Sequence, residues 1–232
     1  MEKKFQAETG LLKSAILFIL FLIYTDLVCI IDVQPIGPTS TTVGFANLNQ
    51  LFVRHIGVHA IFYTITDFMA ILSFLVVFTF ALLGLIQLIK RKSFFKVDGE
   101  IVMMGVMYVL VGIFYLVFEK VVINYRPVLI DGVLEASYPS SHTVLAVTVV
   151  WSALIEANRL LKNKKSAGIA VKVIGGVVIA ITVVGRVLSG VHWFTDILGG
   201  ILLSVFVVYF YCTLVKCYNI FLDKRKAKSQ EE

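Results

Sequence analysis

An all-α, polytopic membrane bundle of six transmembrane helices is the fold this sequence predicts, and three observations carry the prediction. The chain is 59% hydrophobic with a mean hydropathy of +0.91, where soluble domains are about 45–50% apolar. Six apolar stretches approach the roughly 20 residues that a helix needs to cross a hydrocarbon core of about 30 Å. Lysine and arginine gather in alternate connections, as they do in a chain threaded back and forth through a bilayer.

The first stretch, Leu11–Val33, lacks a small-residue cleavage site and is too long for a signal-peptide core, so it reads as a retained span. The second and third are Ile61–Ile89 and Ile101–Ile123. The fourth, Thr143–Ala157, is short unless Ser140, Ser141 and His142 begin its helix. The fifth and sixth are Ala167–Val184 and Ile197–Tyr218, followed by a basic tail over about 219–232. No repeat or low-complexity tract interrupts the series, and the connections are short. Residues 1–232 therefore read as one six-span domain.

The charges orient it. Lys3, Lys4 and Lys13 open the chain, and Lys90, Arg91, Lys92 and Lys96 follow the second span. Arg159, Lys162, Lys164, Lys165 and Lys172 join the fourth to the fifth, and Lys216, Lys224, Arg225, Lys226 and Lys228 end the chain. With six spans, all of these share one side, which the positive-inside rule makes cytoplasmic. Both termini then lie in the cytoplasm. Only Arg54, Lys120, Arg126 and Arg186 fall outside, together with all four prolines, which sit easily in loops. The net charge of +6 thus answers to a membrane and not to a nucleic acid. Cys29, Cys212 and Cys217 have neither metal nor disulfide spacing and read as small buried hydrophobes.

The outer face concentrates reactive side chains. Lys120, Arg126, Ser140, Ser141 and His142 follow the third span, and Arg186, His192 and Asp196 join the fifth to the sixth. Ionisable groups at this depth are functional candidates by default. Arginine offers a planar fork that matches phosphate oxygens, and lysine adds a mobile point charge. His192 and Asp196 stand four apart, on one face if helical. An aspartate accepting from one ring nitrogen leaves the other free to attack. Either Ser140 or Ser141 can cap the fourth helix, whose free N–H groups suit an anion. His142 there can protonate a departing oxygen. No acidic cluster suited to Mg²⁺ accompanies them.

The segments "KVVINYRP" (Lys120–Pro127), "PSSH" (Pro139–His142) and "GRVLSGVHWFTD" (Gly185–Asp196) resemble the signature of the type-2 phosphatidic acid phosphatase superfamily. That signature is a lysine and Arg-Pro, then Pro-Ser-Gly-His, then Ser-Arg, five residues, His, three residues, Asp. The resemblance implies that His192 is a nucleophile forming a phosphohistidine, that Asp196 orients it, and that His142 protonates the leaving group and then activates water. It further implies that Arg126, Arg186 and Lys120 hold the phosphate, with Ser140, Ser141 and backbone N–H groups nearby. No metal or other cofactor is implied.

Three positions depart from that pattern. Five residues separate Lys120 from Arg126 where the family leaves six, so Glu119 takes the usual lysine position. Ser141 replaces a glycine. Gly185 replaces a serine, for which the sequence offers no reason. Outside the motifs, Arg54, His55 and His59 read as a solvated loop, and Asp26, Asp32 and Asp67 as interfacial groups or helix–helix hydrogen bonds. Glu156 reads as water-facing, Gly175-Gly176 as a close-packing pair, and Tyr138 and Trp193 as candidates for the mouth of the site. The outer connection 34–60 is long enough for an interfacial helix that roofs the site or guides a lipid in.

The expected function is metal-independent hydrolysis of a lipid phosphate or pyrophosphate at the extracytoplasmic face of the cell membrane. Undecaprenyl pyrophosphate, phosphatidylglycerol phosphate and phosphatidic acid are substrates of the implied type. Membrane lipids are the other expected partners, and the sequence leaves the oligomeric state open. A lipid phosphotransferase would use the same residues. A non-catalytic lipid or anion carrier would not need His142, His192 and Asp196 together. A metal site of histidines and Asp196 would set a cation against two arginines.

Overall fold

Each apolar stretch folds as one uninterrupted helix, because backbone groups in hydrocarbon have only one another to bond. The computed structural model describes residues 2–231 and contains seven α-helices. They are α1 (Glu2–Ile30), α2 (Ala46–Ile56), α3 (Ala60–Arg91), α4 (Gly99–Lys120), α5 (Ser141–Leu160), α6 (Lys165–Ser189) and α7 (Phe194–Glu231). Six of these, all but the short α2, are long and apolar enough to cross a membrane.

Helix ends differ from the expected spans in informative ways. α4 stops at Lys120, three residues early, where the β-branched run Val121–Val122 precedes Ile123 and Asn124. Such side chains lose χ1 freedom in a helix, so they leave it readily. The fourth span reaches 20 residues because Ser141 and His142 do begin its helix. Ser140 occupies the N-cap position, but its hydroxyl makes no capping bond and instead accepts from Thr143 Oγ1 at 3.0 Å. The helix of α7 continues through the basic tail for 38 residues, about 57 Å at 1.5 Å per residue. That is well beyond a hydrocarbon core of about 30 Å.

α7 is the axis of the bundle. Its apolar window is 56% buried against 11% for α3 and α6, and it packs on α1, α4 and α5. An aromatic layer fills the space between them. Phe18 meets Phe206 at 4.8 Å between ring centres, and Phe118 meets Tyr138 edge-on at 5.8 Å. Helix approaches are set by small residues: a Cβ on Gly175 would lie 2.6 Å from Leu154, which explains one half of the Gly175-Gly176 pair. Cys29 is exposed on the helix surface, and Cys212 and Cys217 are half-buried, so the expectation of buried cysteines holds least for Cys29.

The basic segments meet at one end. Lys3 pairs with Asp223 at 3.0 Å, Arg225 lies over the Phe95 ring, and Arg159 pairs with Asp98 at 3.2 Å. Glu156 belongs to this end and is fully buried, contrary to the water-facing expectation. Arg159, one turn on, folds back and covers its carboxylate through Nε at 2.9 Å and Nη2 at 2.5 Å.

Candidate functional site

Arg126, His142, Arg186, His192 and Asp196 come from four separate segments and converge at the opposite end. The α4–α5 connection is a small antiparallel loop. Arg126 N–H donates to the Glu135 carbonyl at 3.0 Å, and Ser137 N–H to the Asn124 carbonyl at 2.9 Å. This loop carries Arg126 inward until only 8% of it is exposed. The start of α5 supplies His142 and is tied to α7 through Ser140 N–H on the Asp196 carbonyl, 3.0 Å. The last turn of α6 supplies Arg186.

Between α6 and α7 the chain must reverse within a few residues. Gly190 ends α6 at φ +69°, a conformation that favours glycine, and a side chain there would collide with the Gly57 carbonyl. The reversal presents His192 from a turn, because α7 begins only at Phe194. The expectation that His192 and Asp196 share a helical face is therefore corrected. Asp196 Oδ2 accepts the Trp193 backbone N–H at 3.0 Å, and Oδ1 accepts from Asn124 Nδ2 at 3.0 Å. A carboxylate three positions into a helix that takes the backbone N–H at its start closes that helix end. The carboxylate thus braces the turn that carries His192, and it lies 3.7 Å from His192 Nδ1, too far for a hydrogen bond.

The ring itself is held by a backbone carbonyl. His192 Nδ1 sits 3.1 Å from the Ser137 oxygen, which can only accept, so the proton is on Nδ1 and the lone pair on Nε2. Nε2 accepts from Arg126 Nη1 at 3.2 Å. Burial, then the Arg126 and Arg186 cations and His142, hold the imidazole well below its usual protonation range. His192 is neutral, with its lone pair facing a cation.

Arg186 is completely buried. Its Nη2 lies 3.4 Å from Asp67 Oδ1 and its guanidinium stands 5.1 Å from the Tyr63 ring centre, while Nε and Nη1 have no hydrogen-bond partner. Arg126 Nε is 3.0 Å from Glu135 Oε2, an ion-pair distance, but its N–H is misdirected and makes no hydrogen bond. His142 Nε2 stands 2.9 Å from Asp67 Oδ1, again an ion-pair distance without hydrogen-bond direction, and its Nδ1 is buried without a partner. Buried donors of this kind are rare in folded proteins and call for an explanation.

A cavity of about 850 Å³ opens beside these groups. Arg126, Ser141, His142 and His192 line one end, and apolar side chains of α3, α4 and α5 line the rest, Phe74, Val111, Tyr115 and Val149 among them. Along α4 it runs from Glu119 to Tyr108, about 16 Å at 1.5 Å per residue. Tyr138 lines its wall. Trp193 does not reach the mouth, being buried with Nε1 donating to the Tyr125 carbonyl at 2.6 Å.

Two expected phosphate ligands sit elsewhere. Lys120 is exposed at the end of α4 and makes no hydrogen bond or ion pair among the described residues, while Glu119 faces the cavity. Consecutive helical residues point about 100° apart, so the one-residue shift noted in the sequence turns the lysine away. Ser140 is buried beneath the cavity wall, and its neighbour Ser141 lines it. The long outer connection does form a helix, α2, but none of its residues lines the large cavity. It packs behind His192 instead. Asn49 Nδ2 donates to Thr195 Oγ1 at 2.9 Å, and Phe52 stacks on Phe194 at 4.0 Å.

Several residues of the site were not singled out by the motifs. Asp67 was marked only by its charge inside an apolar helix. Asn124 lies within the Arg126 motif, two residues before the arginine. Ser137 contributes a backbone carbonyl, which no side-chain pattern announces.

Fold and site together define a multi-pass helical protein with an anion-ready, histidine-bearing pocket at one end of its bundle. The chain belongs to the PAP2 superfamily, whose sequence model matches residues 68–219. Its fold is similar to the crystal structure of the first transmembrane PAP2 type phosphatidylglycerolphosphate phosphatase from Bacillus subtilis. The TM-score is 0.58 at 19% identity, over 86% of this chain and 94% of that one. No curated protein sequence matches the chain.

Proposed function

We propose that this protein is a phosphatase that hydrolyses a lipid phosphate or pyrophosphate through a phosphohistidine on His192. The observation that carries the reading is an apolar cavity of about 850 Å³ with Arg126, Ser141, His142 and His192 in its wall. Arg186 backs it: this side chain does not line the cavity but is fully buried with Nε and Nη1 unpaired, and it shares Asp67 Oδ1 with His142. A buried cation with spare donors fits an anion, and the greasy cavity fits an acyl or prenyl tail.

In the first step the phosphate lies between Arg126 and Arg186, which bind its oxygens and carry the charge of the transition state. The first turn of α5 adds N–H groups that have no intrahelical partner, and Ser141 adds a hydroxyl. Substrate draws Arg126 off His192 Nε2, whose lone pair attacks phosphorus while Nδ1–H stays on the Ser137 carbonyl. The bond from phosphorus to the leaving oxygen breaks, and His142 protonates that oxygen. In the second step His142 takes a proton from water, which attacks the phosphohistidine and frees His192 and inorganic phosphate. Asp196 acts through the turn it braces. Two guanidinium groups supply the positive charge that a metal would otherwise bring.

Undecaprenyl pyrophosphate, phosphatidylglycerol phosphate and phosphatidic acid each present a terminal phosphate on a membrane-held tail. The gathering of basic segments at the other end of the bundle supports a site at the extracytoplasmic face of the cell membrane, because the positive-inside rule reads that basic end as cytoplasmic. The test is phosphate release from a panel of lipid phosphates by purified protein in EDTA, with His192→Ala alongside. Release by the wild type and none by the variant is expected. Activity that disappears in EDTA, or survives in the variant, would overturn the mechanism.

A further inference from the structure

Asp67 belongs to none of the three motifs, yet one of its oxygens touches both halves of the site. Oδ1 is 2.9 Å from His142 Nε2 and 3.4 Å from Arg186 Nη2. We infer that Asp67 is a positioning residue for the general acid, its carboxylate holding on His142 Nε2 the proton that the leaving oxygen takes. The inference rests on the phosphatase reading above and assigns a role to a residue that the reading does not use.

The geometry leaves few alternatives for the ring. Nδ1 of His142 is buried and has no hydrogen-bond partner, so the polar contact this imidazole makes with the protein is the ion pair of Nε2 with Asp67. A carboxylate accepts and does not donate when ionised. A proton on Nε2 therefore has the Asp67 anion 2.9 Å away, an ion pair whose N–H is not aimed along a hydrogen bond before substrate arrives. Arg186 holds the same oxygen from the other side, which fixes the carboxylate across the gap between α3, α5 and α6.

The need for such a group follows from the charges. His142 works beside Arg126 and Arg186, and a third positive charge among them is unfavourable unless an anion is in contact. Asp67 is that anion. When the leaving oxygen departs, the proton moves from Nε2 to oxygen, the phosphorus–oxygen bond pair goes to the leaving alcohol, and the imidazole becomes neutral. Asp67 remains ionised throughout. In the second step the same Nε2 lone pair receives the proton of the attacking water, and contact with Asp67 is restored.

A leaving group that needs no proton exposes the role. Single-turnover release of the alcohol should be measured for an alkyl lipid phosphate and for p-nitrophenyl phosphate, in detergent, with wild type, Asp67→Asn and Asp67→Glu. Loss of general acid assistance in Asp67→Asn should slow the alkyl substrate by about 100-fold. The nitrophenyl substrate, whose anion leaves unaided, should change by less than about threefold. Asp67→Glu, which keeps an ionised acceptor, should recover most of the alkyl rate. Equal losses on both substrates, no loss on either, or an Asp67→Glu rate on the alkyl substrate no better than that of Asp67→Asn would overturn the inference. If Asp67→Asn does not fold, the ratio of alkyl to nitrophenyl rates in Asp67→Glu decides, and a ratio as low as one hundredth of wild type overturns it. A wild-type protein that releases neither alcohol would instead overturn the phosphatase reading and take this inference with it.

Discussion

Two polar clusters, each around one fully buried charged side chain, stand at opposite ends of the bundle, and they are built on opposite rules. At the basic end, Glu156 is fully buried and accepts from Arg159, and Asp98 accepts from Arg91, Gln87 and Arg159. Burial pushes the Asp98 carboxyl up, but those hydrogen bonds outweigh it and hold it below the usual carboxylate range. At the other end Arg186 is equally buried, yet two of its nitrogens have no partner, and neither do Arg126 Nε and His142 Nδ1. A saturated cluster is a clamp between helices. An unsaturated one costs stability to keep, and the cost is offset only when an anion arrives.

The contrast can be broken first at Arg186. Arg186→Met should lower turnover by about 10²–10³, the usual effect of removing a donor to developing charge. Thermal unfolding in detergent should show stability unchanged or raised, because a poorly paired buried cation has gone. Parallel loss of both would place Arg186 with the clamps.

Arg159→Met should do the reverse. Stranding the buried Glu156 carboxylate should destabilise the fold by about 3 kcal/mol, with turnover per folded molecule close to wild type. Unfolding curves and assays on the same preparation check both halves.

Gly185→Ser sharpens the comparison within the site. A Cβ at this position would lie 2.7 Å from Thr66 Cγ2, and overpacking of this kind costs about 1–3 kcal/mol. Thr66→Ala in the same chain should restore most of it. Asn49→Ala should cost less, about 1 kcal/mol for the hydrogen bonds to Thr195, and should lower turnover several-fold by loosening the turn that carries His192.

The last test is in acid. His192 is held neutral in the fold, so below its unfolded value of about 6.5 the unfolded chain binds a proton that the native chain does not. Stability therefore falls as pH drops below that point, and His192→Gln should reduce the fall. Asp98 is shifted the other way from a rising carboxylate, so its contribution survives until the pH drops below about 3.9 and is lost as its depressed value is passed. Unfolding temperatures between pH 7 and pH 3 separate the two.

The six spans and the five converging residues were legible in the sequence because each had its own signal: apolar length, charge sidedness, and residue spacing. What stayed hidden depended on packing. Gly185 looked like a lost hydroxyl, and the structure shows it as the contact that lets α6 approach α3 at Thr66, next to Asp67. Lys120 could be doubted from its one-residue shift, but only the helix phase shows it turned from the cavity. Glu156 looked solvated because it lies near a basic connection, but it is fully buried with Arg159 folded back onto its carboxylate. Asp196 matched its motif in spacing, yet its bonds are to the Trp193 backbone N–H and the Asn124 amide, which spacing cannot distinguish from a bond to the ring.

The measurement that bears most directly on the account is the site of phosphorylation. Wild-type protein mixed with a lipid phosphate labelled in its terminal phosphate should be quenched within one turnover under alkaline conditions and digested, and the labelled peptide identified by mass. The account predicts an acid-labile phosphate on His192, absent from His192→Ala. Label on another residue, or complete turnover with no labelled protein at any quench time, would contradict it.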